Sequence, residues 1–217
     1  MTHGQLTLCI DSRFVSPYAL SAFVALQEKG LPFELQKINL QAKENYRPEH
    51  LKRSLTGRVP VLVHGEFSLS ESSAIDEYLE DRFPGPQYPR LYPTDLEHKA
   101  RARQLQAWLR SDLLPIRQER STEVIFLKPN PQPLSTAAQA AVSSLFGVAE
   151  GLLSGTGEQL FGDWCIADTD LALMLNRLVL NGDEVPPRLA AYASKQWQRP
   201  SVQLWVEQAR KGAGKPA

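Results

Sequence analysis

Leu6-Thr7-Leu8-Cys9-Ile10-Asp11-Ser12-Arg13-Phe14-Val15-Ser16-Pro17-Tyr18-Ala19-Leu20 is the stretch that decides the fold. Its apolar opening, Leu6 to Ile10, reads as a strand. Ser16 is a favoured helix N-cap and Pro17 suits the first helical position. Leu20, Phe23, Val24 and Leu26 then recur at helical spacing until Gly30 ends the run. Strand, capped turn and helix therefore follow one another directly.

The pattern continues downstream. Phe33, Leu35, Ile38 and Leu40 mark a second strand over Phe33 to Leu40, with one break in its alternation. A polar helical region runs from Pro48 to Leu55 and closes at Gly57. Val59-Pro60-Val61-Leu62-Val63, a turn at His64-Gly65 and Phe67-Ser68-Leu69 read as a hairpin. Ile75, Tyr78, Leu79 and Phe83 share one helical face. The order strand, helix, strand, helix, strand, strand, helix predicts an α/β domain over residues 1–84.

Pro84, Pro86, Pro89 and Pro93, with Gly85 among them, disfavour regular structure and predict a linker over 85–93. Beyond it the period is helical, over Leu96 to Leu114, Thr136 to Leu153, Asp168 to Leu180 and Pro200 to Arg210. An all-α bundle over 94–217 is expected, with Pro129, Pro131 and Pro133 in a loop between its first two long helices.

Composition narrows the function classes. In 217 residues, 24 basic and 24 acidic side chains cancel, so no overall field favours nucleic acid or an anionic membrane. No apolar run reaches membrane-span length, and Met1 to Gln5 lacks the start of a signal peptide, so a cytoplasmic location is expected. Cys9 and Cys165, far apart, offer neither a disulfide framework nor a Cys-x-x-Cys pair. His3, His50, His64 and His98 lack metal-ligand spacing, and no metal is expected.

Several local motifs admit two readings each. Val59-Pro60 is either a trans proline at a strand start or a cis one. Ser70-Glu71-Ser72-Ser73 is either an ordinary helix opening or a zwitterion site: helix-terminal amides and the Ser72 hydroxyl for a carboxylate, Glu71 for an ammonium. Before the helix of Leu171 and Leu175, Asp168 stands three residues after Cys165. Either Cys165 is a weak N-cap or Asp168 is itself the cap. Trp108, Trp164, Trp197 and Trp205 read as filling the helical core in preference to lining a ligand site, and Arg101, Arg103 and Arg110 as a solvated face, the alternative being that one or two of them border a cleft. No Gly-x-Ser-x-Gly, phosphate loop or dinucleotide fingerprint is present.

Taken in order, these pieces resemble a cytosolic glutathione transferase over nearly the whole chain. The resemblance rests on Ser16-Pro17-Tyr18 at the first helix, Arg58-Val59-Pro60-Val61-Leu62, Leu69-Ser70-Glu71-Ser72-Ser73-Ala74-Ile75, the proline-rich linker, and Ile166-Ala167-Asp168. Ser16-Pro17-Tyr18-Ala19 stands where several thioredoxin-superfamily enzymes carry Cys-Pro-Tyr-Cys, so both redox cysteines are missing. The chain lacks the Ser-Ser-Cys turn of zeta-class isomerases and is similar to the serine-type bacterial group that includes the YfcF proteins.

The resemblance implies a thioredoxin-like first domain, a helical second domain forming part of the electrophile site, and a homodimer. It implies glutathione as co-substrate. Ser16 would donate to the glutathione sulfur, with Ser12 as fallback donor. Val59, before a cis Pro60, would pair with the cysteinyl backbone, and Glu71 and Ser72 would hold the γ-glutamyl end. The expected partner is a small electrophile, a peroxide or a disulfide. A non-catalytic dimeric scaffold is the alternative, and a glutaredoxin-like oxidoreductase using protein thiols is disfavoured because position 16 is serine and Cys9 lies inside the strand.

Overall fold

A computed structural model describes residues 4–153 and 158–213; His3 and the last residues of the expected 94–217 domain lie outside them. Close contacts divide the chain into two units. The first holds residues up to Leu91 together with those from Leu204 onward, and the second holds Tyr92–Gln203.

In the first unit, β1 (Leu6–Asp11), α1 (Pro17–Glu28), β2 (Phe33–Ile38), a 3-10 turn at Glu44–Tyr46, α2 (Pro48–Leu51), β3 (Val61–His64), β4 (Phe67–Ser70) and α3 (Ser72–Arg82) follow in the expected order. The helical region after β2 is shorter than expected, ending at Leu51 and not Leu55. The sheet order is β2-β1-β3-β4, with β1 parallel to β2 and antiparallel to β3, and β3 antiparallel to β4. Cys9, Ile38 and Val61 cluster on one face, with Val59 and Val63 against them. The period of two puts Leu8, Ile10 and Leu62, all fully buried, on the other. Residues Ala19 to Leu26 of α1 are buried without interruption, as a central helix requires.

Gly30 takes φ of 64° just beyond α1, a left-handed helix stop that suits glycine. The preceding Lys29 is buried, and its ammonium donates to Glu80 Oε2 at 2.6 Å and to the Phe83 carbonyl at 2.8 Å. Glu80 Oε2 also accepts the Leu91 amide at 2.9 Å, so one buried ion pair ties α1, α3 and the proline-rich segment together. Removing Glu80 would take the counter-charge from the buried Lys29 ammonium, whereas Glu80 itself also has Arg90 Nη1 at 3.7 Å.

The second unit is helical: α4 (Leu96–Ser111), α5 (Leu114–Glu119), α6 (Glu123–Phe126), α7 (Thr136–Leu152), α8 (Ile166–Val179) and α9 (Pro187–Trp197), followed by α10 (Pro200–Ala213), whose residues from Leu204 belong to the first unit. α8 is buried from Ile166 to Leu178 and packs on α4 and α9. The sequence pattern had left α9 unassigned. Two prolines open it, and its buried face, Leu189, Tyr192, Ala193, Gln196 and Trp197, has the i, i+3, i+4, i+7, i+8 spacing of an amphipathic helix, so the signal was there to be read.

Asp168 is not the N-cap of α8. Cys165 holds that position, and Asp168 is the third helical residue, its Oδ2 accepting the Cys165 amide at 2.9 Å. Its Oδ1 accepts the Leu160 amide and the Tyr192 hydroxyl, each at 2.9 Å. A fully buried carboxylate thus supplies the strength that a thiol cap lacks. Asp168→Ala, which strands three donors, is expected to cost about 3 kcal/mol or more of unfolding free energy in a urea titration. A loss below about 1 kcal/mol would show that the donors find other partners.

Candidate active site

The strand register assembles the candidate residues. Cys9 of β1 stands opposite Val61 of β3, and Val61 opposite Ser70 of β4. β1 therefore ends, β3 begins and β4 ends at one edge. The turn carrying Ser16, the Val59-Pro60 bond and the Glu71-Ser72 step all issue from that edge. At the ~4.8 Å spacing of neighbouring strands, the β1 and β4 ends stand about 10 Å apart.

Ser16 is the N-cap of α1, its hydroxyl oxygen accepting the Ala19 amide at 3.2 Å. A hydroxyl that accepts through one lone pair keeps its proton for donation to another group. Beneath the turn lies Asp11, which the sequence reading missed. Its carboxylate accepts the Val15 amide at 2.8 Å and the Ser16 amide at 2.9 Å. An acidic residue closing an apolar strand just ahead of a capped turn was the available signal. Ser12 sits in the same turn, half-buried, its amide donating to the Ile38 carbonyl at 2.9 Å.

The Val59-Pro60 peptide is cis. The residue before it is gripped from behind: the Arg58 carbonyl accepts the Ser54 hydroxyl at 3.0 Å and lies 3.1 Å from His50 Nε2. The Arg58 amide returns to Ser54 Oγ at 3.1 Å. Asn45 Nδ2 donates to the Gly57 carbonyl at 2.8 Å. Buried His50, Ser54 and Asn45 thus brace the loop into β3, a role that scattered histidine positions did not reveal.

Glu71 is the N-cap residue of α3 at φ 75° and ψ 114°, and its side chain makes no capping bond. A glutamate held at positive φ is strained, and such strain concentrates at functional sites. Its carboxylate is exposed, whereas Ser72, the first residue of the helix, is buried.

Neither cysteine is an available thiolate. Burial raises the Cys9 thiol, which donates to Gln36 Oε1 at 3.4 Å. Burial, with the Asp168 charge adding to it, holds Cys165 well above its ordinary value. Of the tryptophans, Trp197 is buried in the helical unit, but Trp205 packs in the first unit, against Phe14 and Phe23. Trp108 and Arg101 border a cavity of about 270 Å³ lined from α4 and α7, while Arg110 pairs with buried Asp170 at 3.0 Å. Among the described residues, no group of three His, Cys, Asp or Glu side chains clusters as a metal site.

The sequence also matches two family models, the glutathione S-transferase N-terminal domain over residues 13–87 and the glutathione S-transferase C-terminal domain over 95–211. The chain belongs to the glutathione S-transferase family. It is 33% identical over 160 residues to a zeta-class glutathione S-transferase of Euphorbia esula, covering 71% of this chain and 70% of that one. Among solved structures it resembles a glutathione transferase homolog from Burkholderia with bound glutathione. That match has 46% identity and a TM-score of 0.78 and covers 95% and 98% of the two chains. The fold is accordingly a thioredoxin-like domain with a four-stranded mixed sheet followed by a helical domain.

Burial raises the Asp11 carboxyl, against the lowering effect of its amide partners and Arg13. A raised folded-state pKa favours the neutral form, so this contribution to stability is complete below the unfolded value of 3.8 and is lost as pH rises through the folded one. Asp11→Asn cannot ionise. In denaturant titrations from about pH 4 to pH 7, its stability should rise relative to that of the natural protein. A constant difference would show that ionising Asp11 carries no net cost in the fold.

Proposed function

We propose that this protein is a glutathione transferase in which the turn before α1 stabilises the glutathione thiolate and the start of α3 holds the γ-glutamyl end. The observation that carries this reading is the convergence of Ser16, Val59-Pro60 and Glu71-Ser72 at one edge of the sheet, fixed by the register of three strands.

Each contact has a stated chemistry. The Ser16 hydroxyl donates to the sulfur while its oxygen still caps α1, and the helix N-terminus adds its positive end. The Val59 backbone pairs with the cysteinyl backbone of glutathione, alongside Pro60. Ser72 and the first amides of α3 take the γ-glutamyl carboxylate, and Glu71 pairs with its ammonium. The thiolate then attacks an electrophilic carbon. A carbon–sulfur bond forms, and the leaving group departs with the bonding pair or, in an addition, the pair moves onto the electrophile and is protonated.

Activation by pKa alone is modest. A thiol of pKa near 8.5 is about 3% ionised at pH 7, and lowering it by two units gives roughly 75% for about 2.7 kcal/mol. Lower basicity returns about six- to tenfold of that roughly 25-fold gain, if the thiol-exchange slope applies to carbon electrophiles. Holding the electrophile beside the sulfur must supply most of the rate.

We further propose a serine-type member that acts as a homodimer in the cytoplasm, with peroxides and mixed disulfides as additional substrates. Two buried, unpaired cysteines fit a reducing compartment and leave any thiol chemistry to glutathione.

Calorimetric titration with glutathione tests the binding half. Glu71→Ala should weaken binding by about tenfold to hundredfold, the loss of one charge-assisted contact. No binding by the unaltered protein would instead favour the non-catalytic scaffold. Ser16→Ala tests the chemical half: the pH at which bound thiolate appears should rise while glutathione affinity stays within about threefold, because the substituted group meets the sulfur and not the γ-glutamyl end. An unchanged titration would transfer the role to Ser12 or to backbone amides.

A further inference from the structure

Phe14 stands two residues before Ser16 with φ of 56°, a left-handed conformation disfavoured for a bulky side chain. On one side the turn is held by Asp11, whose carbonyl accepts the Phe14 amide at 3.2 Å and whose carboxylate takes the next two amides. The other side is held from the far end of the chain. The indole N–H of Trp205, in α10, donates to the Phe14 carbonyl at 2.8 Å.

Trp205 is fully buried, edge-on to Phe14 at 4.9 Å and to Phe23 of α1 at 5.4 Å between ring centres. Phenylalanine or leucine could supply apolar bulk there. Tryptophan adds a single donor, and that donor is spent on the carbonyl of the strained residue. Without it, a buried carbonyl would be left to find another partner by rotating the Phe14-Val15 peptide, which carries the turn into Ser16.

We propose that Trp205 is a positioning residue for the thiolate-stabilising turn: its indole N–H locks the Phe14 carbonyl and thereby sets where the Ser16 hydroxyl and the first amides of α1 meet the glutathione sulfur. The inference rests on the reading of that turn given under Proposed function. The charged groups around the turn are Asp11 beneath it, Arg13 within it and Lys37 of β2, whose ammonium lies 5.0 Å from the Phe14 ring centre. Replacing an uncharged indole alters none of them.

The test is Trp205→Phe in the full chain, with the ultraviolet absorbance of bound glutathione thiolate followed against pH beside kcat, KM and a melting curve. The apparent pKa of the bound thiol should rise by about half to one unit, the effect of one lost neutral hydrogen bond. Below that pKa, kcat/KM should fall by about three- to tenfold, while the KM for glutathione stays within about twofold because the Glu71 end is untouched. An unchanged thiolate titration in a folded Trp205→Phe protein overturns the proposal.

Ser16→Ala run in parallel separates the two readings. If it alone shifts the titration, the site stands and Trp205 only packs. If Trp205→Phe alone shifts it, the positioning role stands and backbone amides are the donors. If neither does, the Trp205 proposal falls and the donor role passes from Ser16 to Ser12 or to backbone amides. Should Trp205→Phe fail to fold, benzothienylalanine at position 205 replaces the N–H by sulfur in nearly the same shape. The same rise is expected, and its absence overturns the proposal.

Discussion

The pairing of β1 with β3, and of β3 with β4, is the constraint on which the rest depends. Side chains alternate across a sheet, so a slip of one residue would move Val61 out of the cluster with Cys9 and Ile38 and send Leu62 to the wrong face. Leu8, Ile10 and Leu62 are fully buried on their own face, so a slip that displaced them would be costly. This register also fixes where three chain segments leave the sheet, at the edge of the candidate site. Core packing and site assembly are consequences of the same alternation.

Two strained residues flank that edge, Phe14 at φ 56° and Glu71 at φ 75°. The strain at Phe14 is over-determined by contacts from β1 and α10. Around Val59-Pro60 the support comes instead from buried polar side chains, with His50, Ser54 and Asn45 gripping the backbone of Gly57 and Arg58. The candidate site is thus held mainly through main-chain atoms.

Much of this was legible in the sequence. Ser16-Pro17 ahead of an apolar helical run, and Val59 to Leu69 as a hairpin, depend on local chemistry that one chain displays directly. Asp11 was harder to see, because its role arises only when the strand end and the turn fold back together. His50 and Ser54 likewise act on a carbonyl whose need for a partner is not written in residue type. Trp205 was read as helical-core filling because sequence distance conceals a partner 191 positions away. The capping role of Asp168 was half visible: its spacing from Cys165 signalled a box, but the Leu160 and Tyr192 donors that complete it are tertiary.

The bond between Trp205 and Phe14 orders events at the ribosome. Synthesis runs from the N-terminus, so β1, α1 and the hairpin can all emerge and pair while α10 is still untranslated. The turn at Phe14 stays unlatched throughout that interval and closes only once Trp205 has left the exit tunnel. A nascent chain of this protein can therefore hold its paired sheet and still lack a finished turn.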